Sequence, residues 1–125
     1  IVSAAGHPPV GRKGRFPATM IAFEHGCPYR KRLENWYARH GEMPERTVEL
    51  GSYHAMLGCV VAGMGIALLP KSVLTTFPES RRLAVHRLPP GENRSNTVLI
   101  WRKGADSPNI AALRQILSRP NRSKA

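Results

Sequence analysis

Carboxylates are scarce in this chain: eight Asp and Glu stand against nineteen Lys and Arg in 125 residues. Paired acids for acid–base chemistry are correspondingly hard to find. Glu42 and Glu45 fall in a connecting loop, where solvation accounts for both. The chain contains no HExxH, CxxC, GxSxG or GxxxxGK[ST] pattern, so the common metalloprotease, dithiol, nucleophile-elbow and phosphate-loop chemistries have no foothold. His7, His25, His40, His54 and His86 are scattered without ligand spacing, and no metal site is expected from them. AGMGIA carries a GxG, but after a helical pattern rather than after a strand, which is not the dinucleotide fingerprint. The expectation is a protein without enzymatic activity and without a cofactor.

Cysteine is also sparse. Cys27 and Cys59 are the only two, and without secretory context they are expected as reduced, structural thiols. No apolar run approaches the ~20 residues of a membrane-spanning helix. The N-terminus lacks the charged, apolar and small-residue regions of a signal peptide, so a cytoplasmic location is expected. Ile1 to Ala5 already reads as a strand, as in a segment that starts inside a fold. Aromatic residues make up 6% of the chain and are not interleaved with the basic ones. The net charge of +11 is therefore read as a solvated basic face rather than a base-stacking surface. A self-contained basic module that binds nucleic acid is the alternative of a different class.

The hydrophobic content, 42%, is that of a folded domain. Its most ordered signal is Val48 to Pro70, VELGSYHAMLGCVVAGMGIALLP. Val48 to Leu50 reads as a strand, Gly51 as a turn residue and Ser52 as a helix N-cap. Met56, Leu57, Val60 and Val61 recur at helical spacing. Gly63 suits the left-handed position after a helix. Ile66 to Leu69 reads as a strand covered on both faces, stopped by Pro70. Upstream, Thr19 to Phe23 reads as a strand, and His25, Gly26 and Cys27 turn into a helix with Pro28 at its first position. Tyr29, Leu33, Trp36 and Tyr37 form that helix's core stripe, with Arg30, Lys31, Arg32, Glu34 and Arg39 on its outer face and Gly41 beyond its end. Downstream, Lys71 to Leu74 reads as a helical turn, Leu83 to Leu88 and Thr97 to Trp101 as strands, and Ser107 as the cap of a last helix to Leu117. The final residues are expected to fray. Strands alternating with helices make the architecture α/β.

Two strand-to-helix turns, Phe23 to Tyr29 and Leu50 to Tyr53, offer backbone amides at helix N-termini, an arrangement that favours a carboxylate or another anion. Ordinary helix capping explains the same residues equally well.

The order of these elements resembles the effector-binding domain of LysR-type transcriptional regulators. The most specific match is Val48 to Pro70, which is similar to that family's pattern of glutamate, serine, then valine-alanine-glycine-x-glycine-isoleucine, then leucine-proline. IVSAAGHPP resembles its strand ending in a histidine-proline pair, and Thr97 to Ile116 its strand, basic turn and closing helix. The resemblance implies a lobe like those of type II periplasmic binding proteins, with a parallel-dominated mixed sheet flanked by helices. Residues 1–7 would be a crossover strand, 8–101 the second lobe, and 102–125 the return to the first lobe. It implies a small-molecule effector, an organic anion, held between lobes. The family's effector-contacting turns match His25, Gly26, Cys27 and Pro28, and Ser52 and Tyr53. It further implies a homodimer or homotetramer, and DNA binding through an N-terminal domain rather than through this chain. Peroxide-sensing members carry a reactive cysteine in a glycine-x-cysteine turn. Here Cys27 follows glycine directly, one place early, and no second cysteine is near in sequence. A lobe of a periplasmic solute-binding protein would share the fold and is a further alternative.

Overall fold

Side chains along the two central strands are buried on both faces and alternate between two clusters, and that alternation positions the layers. The computed structural model describes residues 1–11 and 16–118. The basic stretch at 12–15 and the tail from 119 lie outside the described residues. The chain divides into two units, Ile1–Arg94 and Ser95–Ala125.

The first unit holds a five-stranded sheet built from β1 (Val2–Ala4), β2 (Thr19–Ala22), β3 (Arg46–Glu49), β4 (Ile66–Ala67) and β5 (Leu83–Val85), in the order β3-β2-β4-β1-β5. β2 pairs in parallel with β3 and with β4, whereas β1 is antiparallel to both β4 and β5. Four strands thus point one way and β1 alone opposes them. Met20 and Ala22 of β2, with Ile66 and the following Leu68, pack under Leu33, Trp36 and Tyr37 of α1 (Pro28–Arg39). Ile21 and Ala67 face the other way, with Val2 and Leu83, onto Met56, Leu57 and Val60 of α2 (Tyr53–Val61) and onto Phe77. Phe77 follows α3 (Lys71–Thr76). The period-2 alternation of strand side chains therefore gives β2 and β4 a core on each face.

The glycines meet the expectations at the helix ends. Gly41 and Gly63 have φ +72° and +80°, the left-handed conformation that terminates α1 and α2. Gly51 is not among the left-handed glycines, so its turn needs no special backbone freedom. Gly65 has a different reason: a Cβ there would lie 2.3 Å from the Thr19 carbonyl oxygen.

Three expectations are corrected. Arg30 belongs to the buried side of α1, at 7% exposure, rather than to its outer face. Two strands are shorter than read: regular pairing covers Ile66–Ala67 and Leu83–Val85, because a ladder extends only as far as its neighbours supply partners. Thr97 to Trp101 forms no strand. Within the described part of the second unit nothing pairs with it, and its apolar side chains stay exposed, Val98 at 67% and Ile100 at 83%. The closing helix of that unit, α4 (Pro108–Leu117), forms as read, with Ser107 Oγ accepting from the Ile110 amide at 3.3 Å. Arg114 lies over the Trp101 ring at 5.0 Å.

Candidate functional site

Because β2 and β3 are parallel neighbours with Ala22 opposite Glu49, the turns that leave them emerge side by side at the carboxyl end of the sheet. The Leu50 amide still bonds the Ala22 carbonyl at 3.0 Å, carrying the ladder one residue into the turns. The connection from β2 runs to β3 on one side, and that from β4 runs to β5 on the other. The strand order therefore switches beside β2, the position where open α/β sheets leave a crevice.

In the first turn Gly26 has φ +93°, which suits glycine alone among common residues. Cys27 then takes an extended conformation as the N-cap of α1, but its thiol makes no capping bond. Pro28 has no amide to offer, and the other first-turn amides of α1 keep their donors for solvent or a ligand. The second turn is capped differently. Ser52 Oγ accepts from the Ala55 amide at 3.1 Å, which leaves its own O–H free to donate. Tyr53 meets Phe23 of the first turn edge-to-face, with ring centroids 4.9 Å apart. Burial pushes the Tyr53 phenol up from its ordinary value, and Tyr29 and Cys27 add to the effect. His25, Gly26 and Ser52 are exposed, while Cys27 and Tyr53 are half-buried. All six residues singled out in the sequence thus belong to one pair of adjoining turns.

The sequence reading missed Arg30, which links the first turn to Glu49 at the end of β3. Its Nη1 donates to the Phe23 carbonyl at 3.1 Å and to Glu49 Oε1 at 2.8 Å. Nε donates to Glu34 at 2.9 Å, and Nη2 lies 3.0 Å from His25 Nε2. A guanidinium only donates, so Nε2 of His25 accepts and its proton sits on Nδ1. Hydrogen bonds to Glu49 and Glu34 hold the Arg30 guanidinium even more firmly protonated than usual. The same bond holds the Glu49 carboxyl below its ordinary range. Two carboxylates match the one guanidinium, so Arg30 brings no uncompensated positive charge to these turns. A signal was present in the sequence: a cation in the first turn of a helix opposes the macrodipole, and one placed there needs a partner.

Elsewhere in the first unit, a groove of about 200 Å³ is lined by Arg32, Asn35, Arg39, Leu88, Gly91 and Glu92. Arg39 pairs with Glu92 at 2.6 Å, and Arg32 donates to the Glu92 and Arg94 carbonyls. Those arginines tie down the loop after β5. Cys27 and Cys59 are both free thiols. Among the described residues no three His, Cys, Asp or Glu side chains converge as metal ligands.

Comparison with known proteins finds a family match over nearly the whole chain. Residues 2–120 match the family model described as LysR substrate binding domain. The chain is 33% identical over 104 residues to the HTH-type transcriptional regulator GltR of Bacillus subtilis, covering 82% of this chain and 35% of that protein. It is 31% identical over 108 residues to the regulator CzcR of the same organism, covering 85% and 38%. The regulator SoxR of an Arthrobacter strain is 32% identical over 83 residues, covering 66% and 29%. The chain spans about a third of the length of these curated relatives.

Proposed function

We propose, because the chain belongs to the LysR substrate-binding domain family, that it is the effector-sensing part of a bacterial transcriptional regulator. Its matches to proteins named as transcriptional regulators support a regulatory rather than an enzymatic role. The effector is a small organic anion, held at the paired turns by the amides around Gly26, Cys27 and Ser52. His25, Pro28 and Tyr53 shape the rim. The observation that carries the site is the adjacency of two helix N-termini at a switch in strand order, where amides and the helix dipole together favour negative charge. In this reading residues 8–101 contribute one wall of the cleft, and a second lobe supplies the other. DNA is contacted by a segment outside this chain, and the regulator works as a dimer or tetramer in the cytoplasm. Among the described residues no helix is long and apolar enough to cross a membrane.

The effector acts only through a difference in its affinity for two arrangements of the oligomer. The native regulator, screened by thermal shift against small mono- and dicarboxylates, is expected to respond to at least one. Ser52→Trp is expected to abolish that response while costing no more than the lost cap, about 1 kcal/mol. An undiminished response in the variant refutes the site. An antibody to this segment, used on the source cell, tests the wider reading through the size of the native product. A protein more than twice this length supports it, and one of this size alone removes the DNA-binding half.

A further inference from the structure

We infer that Arg30 is the positioning residue of the paired turns: it fastens the β2–α1 turn, at the Phe23 carbonyl and His25, to the end of β3 at Glu49. The two turns then move as one body, and His25 is held in a single tautomer. This inference rests on the reading of those turns as the effector site.

Three observations carry it. Arg30 is 7% exposed at the base of the turns rather than in them, so a ligand above meets the groups Arg30 holds and not Arg30. Its donors go to four separate partners: a backbone carbonyl of the first turn, a side chain of that turn, a residue of α1 and a residue at the end of β3. Only a planar fork with donors on both edges and at its tip does this; a lysine ammonium reaches one or two of them. Moreover, the cation lies in the first turn of α1, where the helix dipole repels it. The four bonds offset that repulsion, and the one to Glu49 forms only when the first turn and the end of β3 lie side by side. Glu34 and Glu49 are 35% and 48% exposed in their side chains, so each hydrates if Arg30 is lost, and the fold survives the substitution.

The test is nitrogen-15 spectroscopy and amide exchange on the full chain. In the wild type, the neutral His25 ring is expected to show an unprotonated Nε2 and a protonated Nδ1. In Arg30→Lys and Arg30→Gln the two tautomers mix. Amides of Gly51 to Tyr53 exchange roughly tenfold faster in those variants, the ratio implied by losing one charge-assisted hydrogen bond. Amides of Leu33 to Tyr37 are unchanged. Glu49→Ala separates the two halves of the clamp: it speeds exchange in the second turn but leaves the His25 tautomer intact. An unmixed tautomer in both Arg30 variants, or an unaltered second turn in Glu49→Ala, overturns the inference. Addition of succinate to the wild type addresses the effector reading on its own. Shifted amides at Gly26, Cys27 and Ser52 support that reading, and their absence with a loosened clamp in the variants counts against the anion and leaves Arg30 as the tie between the turns.

Discussion

Ser52 and Cys27 hold the same position, the N-cap after a strand, and they solve it with different chemistry. Ser52 completes its helix with its own hydroxyl, while Cys27 leaves the amides of α1 unoccupied. Pro28 has no amide to leave unpaired, so each of the two helix starts keeps two free amides despite the different caps. Elsewhere single residues decide packing. Gly65 sits where a Cβ would come within 2.3 Å of the Thr19 carbonyl, a backbone atom that cannot move without breaking the β2–β4 pairing. Gly65→Ala is therefore expected to destabilise the chain by about 2 kcal/mol or more, measured by urea denaturation. Tyr37 donates to the Pro17 carbonyl at 2.7 Å, and burial pushes its phenol up to about 12. The folded chain holds that proton more tightly than the unfolded one, so stability is full below about pH 10 and falls as pH rises toward 12. The loss amounts to roughly 2–3 kcal/mol, and Tyr37→Phe is expected to remove it from an alkaline unfolding series.

At the scale of elements, α2 shows how completely one stripe settles a helix. Met56, Leu57 and Val60 are buried against the sheet, whereas His54, Ala55 and Gly58 are exposed and Cys59 is half-buried. Leu57→Ala should cost 2–5 kcal/mol by the usual range for a leucine in a closed core, while Cys59→Ala should cost about 1 kcal/mol or less. Urea midpoints of the two variants, compared at equal slope, check the contrast. A reversed order would mean that α2 is turned on its axis relative to the sheet. Helices were legible because caps and stops are local: Ser52, Gly63, Pro28, Gly41 and Ser107 each act through neighbours within a few residues. Strand ends were not, since Leu68 and Leu69 are as apolar as Ile66 yet lie beyond the ladder.

At the scale of the molecule, the first unit closes a core on both faces of its sheet, and the second carries a helix with apolar residues still in water. Leu113, Ile116 and Leu117 of α4 are exposed, as are Val98 and Ile100. Local stability should follow that division. Amides of Val98 to Ile100 are expected to exchange at close to open-chain rates, while those of Met20 to Ala22 and of Ile66 and Ala67 exchange only with global unfolding. Hydrogen-exchange mass spectrometry on the intact chain checks this, and strong protection at 98–100 would show a partner strand. The +11 charge belongs to this scale too, because it acts on solubility and on association rather than on the fold.

Sequence alone determined the α/β class, the capped helices and the two turns, because period, cap and stop signals operate over a few residues at a time. The same local reading assigned Arg30 to the solvent, since five of the eight residues from Pro28 to Asn35 are polar or charged and helical spacing alone does not say which of them a neighbouring strand will claim. Only the tertiary structure decided that β3 lies beside β2, which puts Glu49 within reach of α1 and turns one arginine from surface charge into the tie between two turns. It also decided which extended segments became strands. A strand exists by its partner's hydrogen bonds, and partners come from distant parts of the chain.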